Sequence, residues 1–134
     1  SPAMMGTLTY DPVLGHITTF GGNPVACAAG KAGLEVLLDS GWMDEVKAKE
    51  AYLKQALTHP AILHKQHKGL WMSLQFATPE LTRKIAANCV ANGVITDWFL
   101  FAEDRIRIAP PLSITMDELA IAVQTINESI AASF

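Results

Sequence analysis

The chain has 134 residues, half of them hydrophobic and 17% charged, with a formal net charge of −3 at pH 7. That length is enough for one domain with its own core, and the composition excludes a disordered chain. The charge gives no reason to expect nucleic acid or an anionic membrane as a partner, and no apolar run approaches the ~20 residues of a transmembrane helix.

Ser1 to Gly15 contains Pro2, Gly6, Pro12 and Gly15 and reads as a loose lead-in with no core of its own. No basic, apolar, small-residue leader opens it. His16-Ile17-Thr18-Thr19-Phe20-Gly21-Gly22-Asn23-Pro24 then runs directly into an apolar helical pattern. Asn23 is a favoured N-cap, and Pro24 suits the first helical position, where no backbone donor is needed. Gly21 and Gly22 allow a tight turn or a close approach to the backbone. The hydroxyls of Thr18 and Thr19 stand beside a helix start whose free N–H groups and dipole favour an anion such as phosphate. On chemistry alone the stretch is either a phosphate site or an ordinary capped helix after a glycine turn.

Pro24 to Leu38 is predicted as a helix, with Ala26, Ala29, Gly30 and Gly33 on a small-residue face and Val25, Leu34, Leu37 and Leu38 supplying bulk. Each helical glycine costs about 1 kcal/mol against Ala, so close packing by another element is the expected compensation. Asp39-Ser40-Gly41 ends it. A second helix over Trp42 to Thr58 places Met43, Val46, Leu53 and Leu57 at helical spacing, and His59-Pro60 stops it. Ile62 to His67 is a candidate strand. Leu70, Met72, Leu74 and Phe76 alternate with Trp71, Ser73 and Gln75 as a half-buried strand, with Lys68-Gly69 at the junction.

Pro79 opens a helix through Leu81, Ile85, Cys89 and Val90, closed by Asn92-Gly93 as a left-handed cap. Val94 to Phe101 reads as a strand and Ala102-Glu103-Asp104 as the turn after it. In Arg105-Ile106-Arg107-Ile108 the isoleucines are expected to face the core while both arginines share the other face. After Pro110-Pro111, a last helix starts at Thr115 with Glu118 completing a capping box and Ile114 set to pack on Leu119. Leu119, Val123, Ile126 and Ile130 continue its stripe. Cys27 and Cys89 both fall in predicted helices, where buried thiols are common, and they suit a reducing cytoplasm better than a disulfide framework. This order predicts an α/β chain of the two-layer α+β kind, a small antiparallel sheet covered by helices.

His16 to Pro24, continued by Val25-Ala26-Cys27-Ala28-Ala29, resembles the "H-x-S/T-T-F-G-G-N-P-x-x-C-A-A" stretch of the class III pyridoxal-phosphate-dependent aminotransferases, a family that includes ornithine, acetylornithine and other ω-amino-acid enzymes. Ile106-Arg107-Ile108-Ala109-Pro110-Pro111-Leu112 resembles the "I-R-x-x-P-P-L" segment near that family's C-terminus. The resemblance spans nearly the whole chain. It implies that Thr19, and more weakly Thr18, bind the phosphate of pyridoxal 5′-phosphate in the neighbouring subunit of a homodimer. It implies that Arg107 faces the carboxylate of the substrate. The expected activity is transfer of an amino group between an amine or ω-amino acid and a 2-oxo acid.

The implied layout is the tail of a large cofactor-binding domain over 1–23, an interdomain helix over 24–41 and the C-terminal small domain of a fold type I aminotransferase over 42–134. The family's Schiff-base lysine, its pyridinium-pairing aspartate and its ring-covering aromatic lie N-terminal to this segment. Lys31 sits in a helix without the following Gly-Gly, and Lys68 precedes a strand, so neither is that lysine. The chain is therefore expected to be inactive alone. Ile17 departs from the family's usual small residue.

Other candidates carry plainer readings. Apart from the motif, Arg107 is an exposed strand arginine making a weak ion pair; Arg105 lies outside the match and is left as a solvated or structural charge. His59, His64 and His67 straddle a helix stop and a strand and share no ligand face, so surface histidines are expected rather than a metal site. His16 is assigned to loop packing. Trp98, Phe99 and Phe101 are expected in the core, with a substrate pocket near Arg107 as the alternative. The competing function is a small ligand-binding or regulatory α/β module without catalysis, which leaves the joint occurrence of both motifs unexplained.

Overall fold

In a computed structural model of the chain, residues 1–9 and 18–134 are described, so the expectations for His16 and Ile17 lie outside the described residues. The chain forms two compact units, Ser1–Asp39 and Ser40–Phe134.

The first unit holds α1 (Pro2–Thr9) and α2 (Pro24–Asp39). The helix α1 corrects the expected loose lead-in. Ser1 Oγ accepts from Met4 N at 3.3 Å, Pro2 takes the first helical position, and the hydroxyls of Thr7 and Thr9 donate to the carbonyls of Met4 and Met5. Local caps form this turn of helix without an apolar stripe, and none of its residues is buried. In α2, Asn23 Oδ1 accepts from Val25 N at 3.0 Å and Ala26 N at 3.2 Å, the expected N-cap. The close packing expected on its small-residue face is not met among the described residues. None of the residues of α2 is buried, and a Cβ built at Gly30 or Gly33 finds no atom within 4 Å. Cys27 is exposed as well, against the expectation of a buried thiol.

The second unit runs α3 (Trp42–Ala56), β1 (His64–Lys68), β2 (Trp71–Gln75), α4 (Pro79–Ala91), β3 (Asp97–Phe99), β4 (Ala102–Ile108) and α5 (Met116–Ala131). It is an α+β fold in two layers, with a four-stranded antiparallel sheet in the order β1-β2-β4-β3. Period-two alternation decides which face is dry. Met72 and Leu74 of β2 and Ile106 and Ile108 of β4 point to the helices, where Leu53, Leu57, Ile85, Cys89, Leu119, Val123, Ile126 and Ile130 complete the core. Burial pushes the Cys89 thiol up and keeps it protonated.

Three features in this unit correct the sequence reading. The strand expected over Val94 to Phe101 is only Asp97–Phe99, and the chain turns at Leu100 and Phe101, while β4 already begins at Ala102. The reason lies at the end of α4. Val94 N donates to Cys89 O at 2.9 Å and Gly93 N, at φ 89°, to Val90 O at 3.1 Å, a Schellman closure that takes Val94 out of any ladder. Phe101 is 97% exposed and Trp98 39%, so of these aromatics neither belongs to the core. Met43, placed on the buried stripe of α3, is also exposed; Leu53 and Leu57 carry that contact, with Val46 partly buried beside them.

Polar side chains fix α3 to the hairpin that follows it. Lys65 Nζ donates to the carbonyls of Lys54 at 2.8 Å and Leu57 at 2.9 Å, closing the open end of α3. Glu50 Oε1 lies 2.6 Å from His67 Nδ1 and accepts from Gly69 N at 3.0 Å. The bond with His67, then the Gly69 amide, hold the Glu50 carboxyl below its ordinary value. A lowered folded-state pKa contributes stability above the unfolded value, and that stability is lost as pH falls through the folded value. Glu50→Gln should therefore lower the urea midpoint at pH 7 and leave a shallower loss of stability below pH ~4.5 than in the parent. Equal acid slopes in the two proteins would remove Glu50 from this role.

Candidate functional site

The Thr18–Asn23 segment is a pair of linked turns, in which Gly21 N donates to Thr18 O and Asn23 N to Phe20 O, each at 3.2 Å. Gly22 has φ 76°, which suits glycine. At Gly21 the constraint is space, because a built Cβ there runs into Thr18 Oγ1. The turn is thus a shallow cradle whose rim is the Thr18 hydroxyl. Thr18, Thr19 and Phe20 are all exposed, and neither threonine hydroxyl has a hydrogen-bond partner among the described residues.

One part of the expected anion chemistry is corrected. Pro24 has no N–H, Val25 and Ala26 donate to Asn23 Oδ1, and Cys27 N donates to Asn23 O at 2.9 Å. The first turn of α2 therefore offers its dipole to an anion but no free amide. The hydroxyls at the rim can donate to a phosphate, and those residues fit such a group: small, exposed and backed by glycine.

The second unit carries both arginines of β4 on the sheet face away from the core. Arg107 stands opposite Ser73 of β2 and Asp97 of β3. Its Nη2 lies 3.7 Å from Asp97 Oδ2, a loose pair between half-exposed side chains that contributes little and leaves the guanidinium fork accessible. Its carbonyl accepts from Thr96 Oγ1 at 2.6 Å, which holds the strand edge at that residue. Arg105 differs sharply. Its side chain is 20% exposed and donates to Gln66 Oε1, Ser73 Oγ and Gln75 Oε1, so the structural reading describes it.

Sequence reasoning passed over Lys49. It is 1% exposed, donates from Nζ to Leu112 O at 3.1 Å and pairs with Glu45 at 2.7 Å. It anchors the Pro110-Pro111-Leu112 segment that follows β4. The histidines serve separate purposes: His59 Nδ1 accepts from Ala61 N and its ring stacks on Phe134, His67 meets Glu50, and His64 is exposed on β1. Thr18 and Thr19 lie side by side in the first unit and Arg107 lies in the second.

Residues 4–130 match the family model described as aminotransferase class-III. Among solved structures, the chain is 27% identical to an ornithine aminotransferase from Toxoplasma gondii, covering 96% of this chain and 31% of that one at a TM-score of 0.77. It is 26% identical to an (S)-enantioselective omega-transaminase from Thermomicrobium roseum, covering 100% of this chain and 33% of that one at a TM-score of 0.80. An omega transaminase variant from Pseudomonas jessenii, 20% identical, shares the fold over 99% of this chain and 32% of that one at a TM-score of 0.82. The chain thus spans about a third of the length of the structures it matches.

Proposed function

The chain belongs to the class III aminotransferases, and from that premise we propose that it is the C-terminal part of an enzyme moving an amino group between an amine or ω-amino acid and a 2-oxo acid. Its contribution is a phosphate clamp and a carboxylate-binding arginine. Pyridoxal 5′-phosphate, when bound, supplies the electron sink that makes the transfer possible. Everything this chain does is to hold and orient.

Thr19, with Thr18 beside it, donates hydroxyl hydrogen bonds to the phosphate of the cofactor held by the neighbouring subunit of a homodimer. The observation that carries this reading is the exposed threonine pair on a glycine-backed turn, its hydroxyls without partners among the described residues. The dipole of α2 adds a favourable field at the same end. Arg107 pairs the substrate carboxylate through two parallel N–H bonds, and its loose ion pair with Asp97 keeps the side chain aimed without neutralising it. Residues 1–23 are the tail of the large cofactor-binding domain, 24–41 the interdomain helix and 42–134 the small domain. An exposed α2 with a small-residue face suits a helix that packs on parts of the enzyme beyond this chain. The enzyme is assigned to the cytoplasm; no helix among the described residues is long and apolar enough to cross a membrane.

Separated from the N-terminal part, the chain should show no transaminase turnover with ornithine, acetylornithine or 4-aminobutyrate as donor. The full-length polypeptide should exchange the amino group of at least one such donor with a 2-oxo acid. Turnover by the pure chain, or none by the full-length polypeptide with any amine donor, would contradict the assignment.

A further inference from the structure

The sheet face away from the helices carries a cavity of about 390 Å³ lined by Gln66, Lys68, Trp71, Ser73, Phe99 and Arg105. That volume lies within the ~300–1,000 Å³ range of small-ligand pockets. Its chemistry is one-sided: among the described residues no carboxylate lines it, and His67, at its edge, is committed to Glu50.

Arg105 is held there by neutral groups. Nη1 donates to Gln66 Oε1 at 3.1 Å and to Ser73 Oγ at 3.5 Å, and Nη2 donates to Gln75 Oε1 at 3.1 Å. The acid beside it, Asp104, is 3.9 Å from Nε and takes a 2.7 Å bond from Gln75 Nε2. The guanidinium is therefore fixed in direction, its one carboxylate neighbour among the described residues meets it only loosely through Nε, and Nη2 keeps one N–H to give. Lys68 Nζ and the Gln66 amide NH₂ have no acceptor among the described residues. The Ser73 hydroxyl, 7% exposed, accepts a long bond from Arg105 and likewise has no acceptor for its own hydrogen among the described residues. A cavity whose open valences are all donors, two of them cationic, asks for an anion. The indole of Trp71 and the ring of Phe99 supply its apolar walls.

We infer that this cavity binds a small planar carboxylate, with the flat apolar body against Trp71 and Phe99 and the carboxylate on Arg105 and Lys68. The free Arg105 N–H and the Lys68 ammonium can each meet one oxygen of a carboxylate, and the predominantly apolar lining suits a ring or conjugated chain. This inference does not rest on the cofactor reading above.

Benzoate is the probe, titrated into the whole chain and followed by amide chemical shifts. Shifts should centre on β1, β2 and β4, with a Kd on the order of 1 mM for a ligand of this size. Benzamide, the same shape without charge, should bind at least ~10-fold more weakly. Arg105→Gln should lose affinity by about 10-fold and Lys68→Gln by about 3-fold. Lys68 is exposed, so that variant keeps the test open if Arg105→Gln fails to fold. Equal affinity for benzoate and benzamide, shifts confined to other parts of the chain, or parental affinity in Lys68→Gln would overturn the inference.

Discussion

Arg107→Ala in the full-length enzyme should raise KM for the 2-oxo acid by roughly 10- to 100-fold and change kcat far less. A hydrogen-bonded charge pair contributes about 1.5–3 kcal/mol, and each 1.4 kcal/mol is tenfold in affinity. If Arg107 holds the carboxylate equally before and during the reaction, as proposed, the effect falls on KM. Arg107 gives up little when it is lost from the fold, since its ion pair with Asp97 is loose and half-exposed. Stability should therefore stay close to the parent's, which separates a binding defect from an unfolding one. Arg107→Lys should recover only part of the affinity, because an ammonium cannot present a two-pronged donor. Steady-state kinetics with the 2-oxo acid varied decide it: an unchanged KM would remove Arg107 from the substrate.

Lys49→Ala should cost the second unit about 3 kcal/mol, the largest loss expected from any charged residue among the described ones. Two effects add. The part-buried bond to the Leu112 carbonyl is lost, at about 0.5–1.5 kcal/mol, and the buried four-carbon stem leaves a gap between α3 and the segment after β4. Glu45 contributes little to the loss because it is half-exposed and returns to water. Lys49→Met refills the gap and removes only the bond, so it should recover about half of the loss. Thermal unfolding tests this, with roughly 4–8 °C per kcal/mol in a unit of this size. Equal melting temperatures for parent, Ala and Met variants would show that the buried ammonium is not holding Leu112.

The contrast between these two residues explains what the sequence could tell. Local chemistry was legible. Asn23-Pro24, Asn92-Gly93 and Thr115 with Glu118 mark helix ends within a few residues, and all three ends formed as expected. Alternation over Arg105 to Ile108 sorted core from surface correctly, with Ile106 and Ile108 inside. Lys49 was not legible, because the carbonyl that makes its burial tolerable lies 63 residues further on. Nor was the short β3, since Val94 is withdrawn from the sheet by a bond to Cys89, and the turn at Leu100 and Phe101 is decided by pairing between β3 and β4. The helix α1 had a readable Ser-Pro start that the lack of an apolar stripe concealed. At the threonine turn, Asn23 takes the amides of Val25 and Ala26, a relocation of the candidate donors toward the exposed Thr18 and Thr19 hydroxyls that no local pattern announced.

That relocation sharpens the central proposal, that the Thr19 hydroxyl of one subunit grips a phosphate bound by the other. Mixed dimers test it most directly. One protomer carries Thr19→Val; its partner lacks the cofactor-bonding lysine of the N-terminal part. If the clamp acts across the interface, each parent dimer is weak, yet every isolated mixed dimer regains one complete site in two, about half the activity of the intact dimer. Mixed dimers no more active than their parents, or a Thr19→Val parent with full activity and undiminished cofactor affinity, would contradict the account.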